Sequence, residues 1–163
     1  MAIDVRVLGP ADAAVLERVA PDVFDGPVDP HWTAEFLADP RHHLAVAIDD
    51  GVVVGMASGL HYVHPDKPPE LWVNEVGVTP THQGRGVGRR VLAALLAHGH
   101  ALGCVEAWVL THRENTAARR MYAAVGGMDA DAPLLISFAL DDVVDALPLP
   151  LPSEAARNIE SST

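Results

Sequence analysis

Thr81-His-Gln-Gly-Arg-Gly-Val-Gly-Arg-Arg90 stands between a strand pattern and a helix pattern, and its reading decides the fold. Upstream, Leu71-Trp-Val-Asn-Glu-Val-Gly-Val78 is rich in β-branched and aromatic residues and closes at Thr79-Pro80. Downstream, apolar residues recur at Val87, Val91, Leu92, Leu95 and Leu96, the spacing of one helix face. A glycine-rich turn feeding a helix gathers unpaired backbone N–H groups at the positive end of the helix dipole, which makes it a phosphate cradle. Arg85, Arg89 and Arg90 put full positive charges at the helix end where they oppose the dipole, a local cost that a bound anion would offset.

Two common phosphate signatures fail on spacing. A Walker loop needs Lys-Ser/Thr after its last glycine, and the dinucleotide fingerprint needs a third glycine at position 89; Arg89 stands there. Gln-x-x-Gly-x-Gly does fit, at Gln83, Gly86 and Gly88, and it resembles the pyrophosphate-binding signature of the GNAT acetyltransferase superfamily. A second motif follows in the expected order. Val105-Glu-Ala-Trp-Val-Leu110 reads as a strand, and residues 116–125 read as a helix stopped by Gly126-Gly127. Asn115 is a good N-cap for that helix, and Ala118 and Tyr122 lie one turn apart on one face. Asn115, Ala118, Tyr122 and Gly126 resemble the superfamily's Asn-x-x-Ala-x-x-x-Tyr followed by glycine. A ligand-free glycine turn would not explain the pair.

The resemblance covers residues 3 to 141 and implies an α/β GNAT fold, a mixed central sheet with splayed middle strands flanked by helices. It implies acetyl-CoA as co-substrate. Gln83, Gly84, Arg85, Gly86, Val87, Gly88 and Arg89 would hold the pyrophosphate, and Asn115 the pantetheine arm. The amides around Val76 and Val78 would serve as oxyanion donor and pantetheine rail, and Tyr122 would return a proton to the departing thiolate.

Acetyl transfer to an amine also needs a group to take the acceptor's proton, since a lysine-like ammonium leaves only about one molecule in a thousand free at neutral pH. Glu75 is the leading candidate, because a carboxylate in an otherwise apolar strand is costly unless paired or used. Period-two alternation places it with Leu71, Val73 and Gly77, opposite Trp72, Asn74, Val76 and Val78. The superfamily commonly carries an acidic residue at this point. A structural carboxylate, a water relay, and His112 as base stay open.

The chain of 163 residues, 49% apolar and 5% aromatic, is expected to form one domain with a core of Val, Leu and Ala. A formal charge of −11 argues against a nucleic-acid surface and favours a cationic acceptor. The arginines cluster between Arg85 and Arg120, whereas carboxylates gather early, at Asp22, Asp25, Asp29 and Glu35, and late, at Asp129, Asp131, Asp141 and Asp142. The start lacks a signal-peptide pattern and no stretch reads as a membrane span, so a cytoplasmic location is expected. The single Cys104 precludes an internal disulfide and reads as buried and inert. His98 and His100 diverge on their helix, and His61 and His64 lack partners at ligand spacing, so no metal is expected.

The remaining pattern predicts a strand over 3–8, a helix over 11–20, a second helix over 31–38, and strands over 43–48 and 52–63 joined through Asp49-Asp-Gly51. A late strand is expected over 134–140, and the Pro-rich, polar 142–163 is expected to be a mobile tail beyond a domain of residues 1–141. The proline-bearing loop Tyr62-Val-His-Pro-Asp-Lys-Pro and the Glu70–Val78 strand resemble the aminoglycoside 3-N-acetyltransferase branch, which implies an aminoglycoside acceptor. A polyamine, a protein or peptide amine, and a non-catalytic acetyl-CoA sensor are the other readings; the family also leaves room for a homodimer.

Overall fold

The computed structural model describes residues 3–130, so the strand expected over 134–140 and the tail over 142–163 lie outside the described residues. Among the described residues, five strands form one sheet in chain order: β1 (Asp4–Val7), β2 (His42–Asp49), β3 (Val52–Tyr62), β4 (Glu70–Val78) and β5 (Glu106–Val109). The first three pairings are antiparallel and β4–β5 is parallel, which makes the sheet mixed. The α-helices described with it are α1 (Pro30–Ala38), α2 (Val87–Ala101) and α3 (Thr116–Ala123).

Local chemistry accounts for most of these elements. The β2–β3 hairpin turns at Asp50 and Gly51, whose φ angles of 49° and 71° are those a tight, right-twisted hairpin requires. α1 starts at Pro30, one residue before expectation. The Asp29 carboxylate caps it by accepting from the His31 and Trp32 amides, and proline is favoured at the first position. The short helix expected over 11–20 is a 3-10 helix, Pro10–Glu17. It buries only Leu16, too little apolar face for packing to hold a longer α-helix.

α2 buries Val87, Val91, Leu92 and Leu95 against one face of the sheet, where they meet Ala57, Leu71 and Val73. The helix comes close at Gly99, where an added Cβ would sit 2.7 Å from a Leu71 methyl. The 3-10 helix and α1 cover the other face, where Leu16, Leu37 and the intervening Val23 pack with the sheet residues Val46, Val53 and Met56. The core is therefore mainly valine, leucine and alanine, as the composition implied.

Two departures from regularity in β4 prepare the site. β3 pairs with β4 from Glu70 to Val78, but β5 pairs only from Glu70 to Val73, so the strands splay and one edge of β4 is free of a strand partner beyond Val73 among the described residues. The second is a bulge. Ser58 pairs with Glu75 and the next residue, Gly59, pairs with Val73, leaving Asn74 as an extra residue. The extra residue reverses the alternation. Val76 and Val78 lie on the α2 face with Leu71 and Val73, near enough that a Cβ on Gly88 would meet both. Glu75 and Gly77 are turned to the α1 face. The regular alternation expected from sequence, which grouped Glu75 with Leu71 and Val73, is thus corrected.

Under α2, His43, His61 and His98 form a chain of imidazoles. His43 Nε2 lies 2.8 Å from His61 Nδ1, and His98 Nε2 lies 3.1 Å from His43 Nδ1. Burial holds the His43 pKa down at about 4; the neighbouring His98, His61 and His42 lower it further, and Asp39 opposes them. An unfolded histidine takes its proton near 6.5, so unfolding binds a proton between these values. The His43 contribution is fully present above pH 6.5 and is lost as pH falls toward 4. Melting curves across this window should show the wild type losing Tm more steeply than a His43→Gln variant.

Candidate active site

Gly77 sets the α1-side wall of the site. A Cβ there would stand 2.0 Å from the Val23 carbonyl, so glycine is what lets the 21–28 loop lie directly on β4. The loop, α1 and the sheet line an open cavity of about 260 Å3. Ser58, Asn74 and Glu75 contribute its polar lining from the strands, and Phe24, Val28, Trp32 and Phe36 supply apolar walls. Glu75 has no hydrogen bond or ion pair among the described residues. Its pKa is raised, first by burial and then by the charge of Asp25. A carboxylate with no side-chain partner among the described residues and with raised basicity is chemically suited to receive a proton or an ammonium group.

At the top of β4, the chain passes through a 3-10 turn, Pro80–His82, into the glycine-rich turn. Gly84 and Gly86 adopt φ of 71° and 77°, in the left-handed region that glycine enters at little cost. Gly86 is the N-cap of α2, whose ladder begins with the Arg90 amide bonded to the Gly86 carbonyl at 3.1 Å. The amides of Val87, Gly88 and Arg89 therefore have no partner from the helix. A Cβ on Gly84 would meet nothing within 4 Å, so the turn's outer side is open. Charge and exposed amides together fit a pyrophosphate.

Side chains within the turn divide into distinct tasks. Gln83 donates its side-chain amide to the Val78 carbonyl at 2.9 Å, tying the turn to β4. The Val87 side chain is buried in the core, and Gly88 is small because Met121 of α3 packs there; an added Cβ would lie 2.7 Å from its sulfur. These two residues can offer a ligand only their backbone amides. Arg85 and Arg89 are exposed, whereas Arg90 reaches across to the Ile3 carbonyl at 2.7 Å.

Among the described residues, the splayed edge of β4 also carries amides without a strand partner. The Thr79 amide bonds the Val54 carbonyl on β3. By strand alternation, the amides of Val78 and Val76 point the other way, to the side that β5 has left. α3 begins beside this region. Asn115 caps it by accepting from the Ala118 amide at 3.1 Å, which leaves the side-chain NH2 available as a donor. Tyr122 packs against the α2-side core, and burial raises its pKa, so its hydroxyl keeps its proton at neutral pH. His112 is exposed. Cys104 is buried, with its thiol pKa pushed up by burial. Among the described residues no group of three metal-ligating side chains converges.

Residues 14–127 match the acetyltransferase (GNAT) family. The chain belongs to that family. It is 36% identical over 127 residues to the N-alpha-acetyltransferase RimI of Mycobacterium tuberculosis, spanning 76% of this chain and 77% of the relative. It is 33% identical over 90 residues to the aminoglycoside N(6')-acetyltransferase type 1 of Salmonella typhimurium, 52% of this chain and 62% of that one. Among solved structures, the aminoglycoside acetyltransferase AAC(6')-Iy in complex with a CoA bisubstrate analogue superposes with a TM-score of 0.70 at 23% identity, covering 85% of this chain and 99% of that chain. This GNAT chain is an acetyltransferase, and acetyl-CoA is its acetyl donor.

The sequence singled out Glu75 and Asp25, but it did not bring this cavity together. Trp32, Phe36 and Ser58 come from three separate elements, and nothing in their spacing announced a common cavity.

Proposed function

We propose that this GNAT enzyme moves the acetyl group of acetyl-CoA directly onto a primary amine held in the Glu75 cavity. Acetyl-CoA supplies the acetyl group already activated as a thioester. Glu75 takes the ammonium proton, directly or through one water, and frees the nitrogen lone pair for attack on the carbonyl carbon. Of the amides of Val76 and Val78, one donates to the oxygen as it becomes anionic and the other serves as the rail for the pantetheine arm. As the carbon–sulfur bond breaks, Tyr122 gives its proton to the sulfur, and the second proton that the nitrogen sheds passes to solvent, from which Tyr122 regains its own. The Gln83–Arg89 turn anchors the pyrophosphate, and Asn115 donates to the pantetheine arm. The observation that carries this reading is the unpartnered, basicity-raised Glu75 lining a cavity beside an open strand edge.

For the acceptor, an aminoglycoside is supported by the acidic residues Glu17, Asp22 and Asp25 around an adjoining cleft, which suit a polycation. The aminoglycoside relatives found here are, by their names, 6' enzymes, so the 3-amino position expected from the proline-loop resemblance is not carried forward. A protein or peptide amino terminus is the second reading. Its support is the apolar lining of the cavity, together with the RimI relative, an N-alpha-acetyltransferase by name. A thiol-release assay over aminoglycosides, polyamines and peptides separates them. Turnover with one class and not the others assigns the acceptor; no thiol release with any amine, alongside tight acetyl-CoA binding, would instead favour a sensor.

Tyr122→Phe should lower kcat by about a hundredfold, the low end for an acid–base group, because a thiolate leaves moderately well unaided. Its acetyl-CoA affinity should stay close to wild type. Unchanged turnover would return Tyr122 to a packing role.

A further inference from the structure

A glycine-rich turn loses much freedom when it is ordered, so a turn that binds an anion gains from being held in advance. A Cβ on Gly84 would meet nothing within 4 Å, and Gly84 and Gly86 both sit at positive φ. What holds the turn lies immediately before it. His82 Nε2 is 3.0 Å from Asp49 Oδ2, and His82 Nδ1 is 2.9 Å from Thr81 Oγ1. Asp49 is the last residue of β2, at the base of the tight hairpin turn, and is 33 positions away in sequence.

We infer that His82 and Asp49 form a clamp that presets the acetyl-CoA turn, with His82 acting as a positioning residue for the donor. The chemistry of the ring supports a fixed orientation. An ionised carboxylate can only accept, so Nε2 carries a hydrogen; in the neutral ring Nδ1 then accepts from the Thr81 hydroxyl. Both nitrogens are satisfied in a single pose. The imidazole side chain is 15% exposed, so it is wedged between the hairpin and the turn. With Gln83 fastened to the Val78 carbonyl, two consecutive side chains pin the entry of the turn to two different strands. Neither His82 nor Asp49 belongs to the turn's exposed amides, so the pair acts through the turn.

This inference rests on assigning the Gln83–Arg89 turn to acetyl-CoA. His82→Ala and Asp49→Ala should each raise the acetyl-CoA KM and calorimetric Kd roughly three- to tenfold, the range of one net hydrogen bond. The kcat at saturation and the acceptor KM should hold. Asp49→Asn keeps an acceptor oxygen and should restore most of the affinity. The double alanine variant should be no worse than the poorer single one. A lower Tm with unchanged acetyl-CoA affinity would overturn the clamp, as would fully additive losses in the double variant. Gly86→Val separates the two levels. If it abolishes binding while His82→Ala and Asp49→Ala do not weaken it, only the clamp fails; if Gly86→Val binds normally, the turn assignment fails first.

Discussion

Gly86→Val is expected to remove measurable acetyl-CoA binding while leaving the fold intact. Gly86 has φ of 77° and caps α2. A β-branched residue there costs on the order of 1–3 kcal/mol, and the turn can relieve it only by changing its backbone path. That path aims the amides of Val87, Gly88 and Arg89, so the relief spoils the anion site. The added side chain also narrows the approach of a pyrophosphate to the backbone. Titration calorimetry with acetyl-CoA measures the loss, and a cooperative melt close to wild type shows that the variant folds. Unchanged affinity would remove the turn from the donor site.

Glu75→Gln should cut turnover by about 100- to 10,000-fold near neutral pH, the range for a general base. Glutamine keeps the shape and removes both the charge and the proton acceptor. Near neutral pH an alkylammonium acceptor is almost wholly protonated, with an unperturbed pKa of about 10.4, so the defect should shrink as pH rises and free amine accumulates. The wild type has its own signature. Burial and Asp25 raise the Glu75 pKa above the ordinary 4.5, so its acidic limb should begin above that value, with activity lost as pH falls through the raised pKa. The variant should lack that limb. A pH–rate profile scaled down equally at every pH would refute the base role.

The sequence by itself determined the elements whose information is local. Gly84 and Gly86 declare a turn because only glycine enters their φ region cheaply, and Asn115 declares a helix start because its side chain caps an amide three residues on. The hairpin at Asp50-Gly51 and the α2 core face from Val87 to Leu95 follow from the same short-range rules. The turn proposed for the donor is made of such pieces, and its local shape could be read directly.

Only the tertiary structure decided where Glu75 points. One unpaired residue, Asn74, reverses the strand's alternation, and it leaves no mark in composition or periodicity because a bulge is a property of the pairing with β3. The same holds for the cavity. Gly77 reads as an ordinary strand glycine until the Val23 carbonyl is found against it, which brings Phe24 and Asp25 to the carboxylate. The His43–His61–His98 chain and the His82–Asp49 pair join residues from different elements, so they are not the neighbours, His98 with His100 and His61 with His64, that sequence spacing could compare. Register and packing set these meetings, and both depend on the whole sheet being assembled.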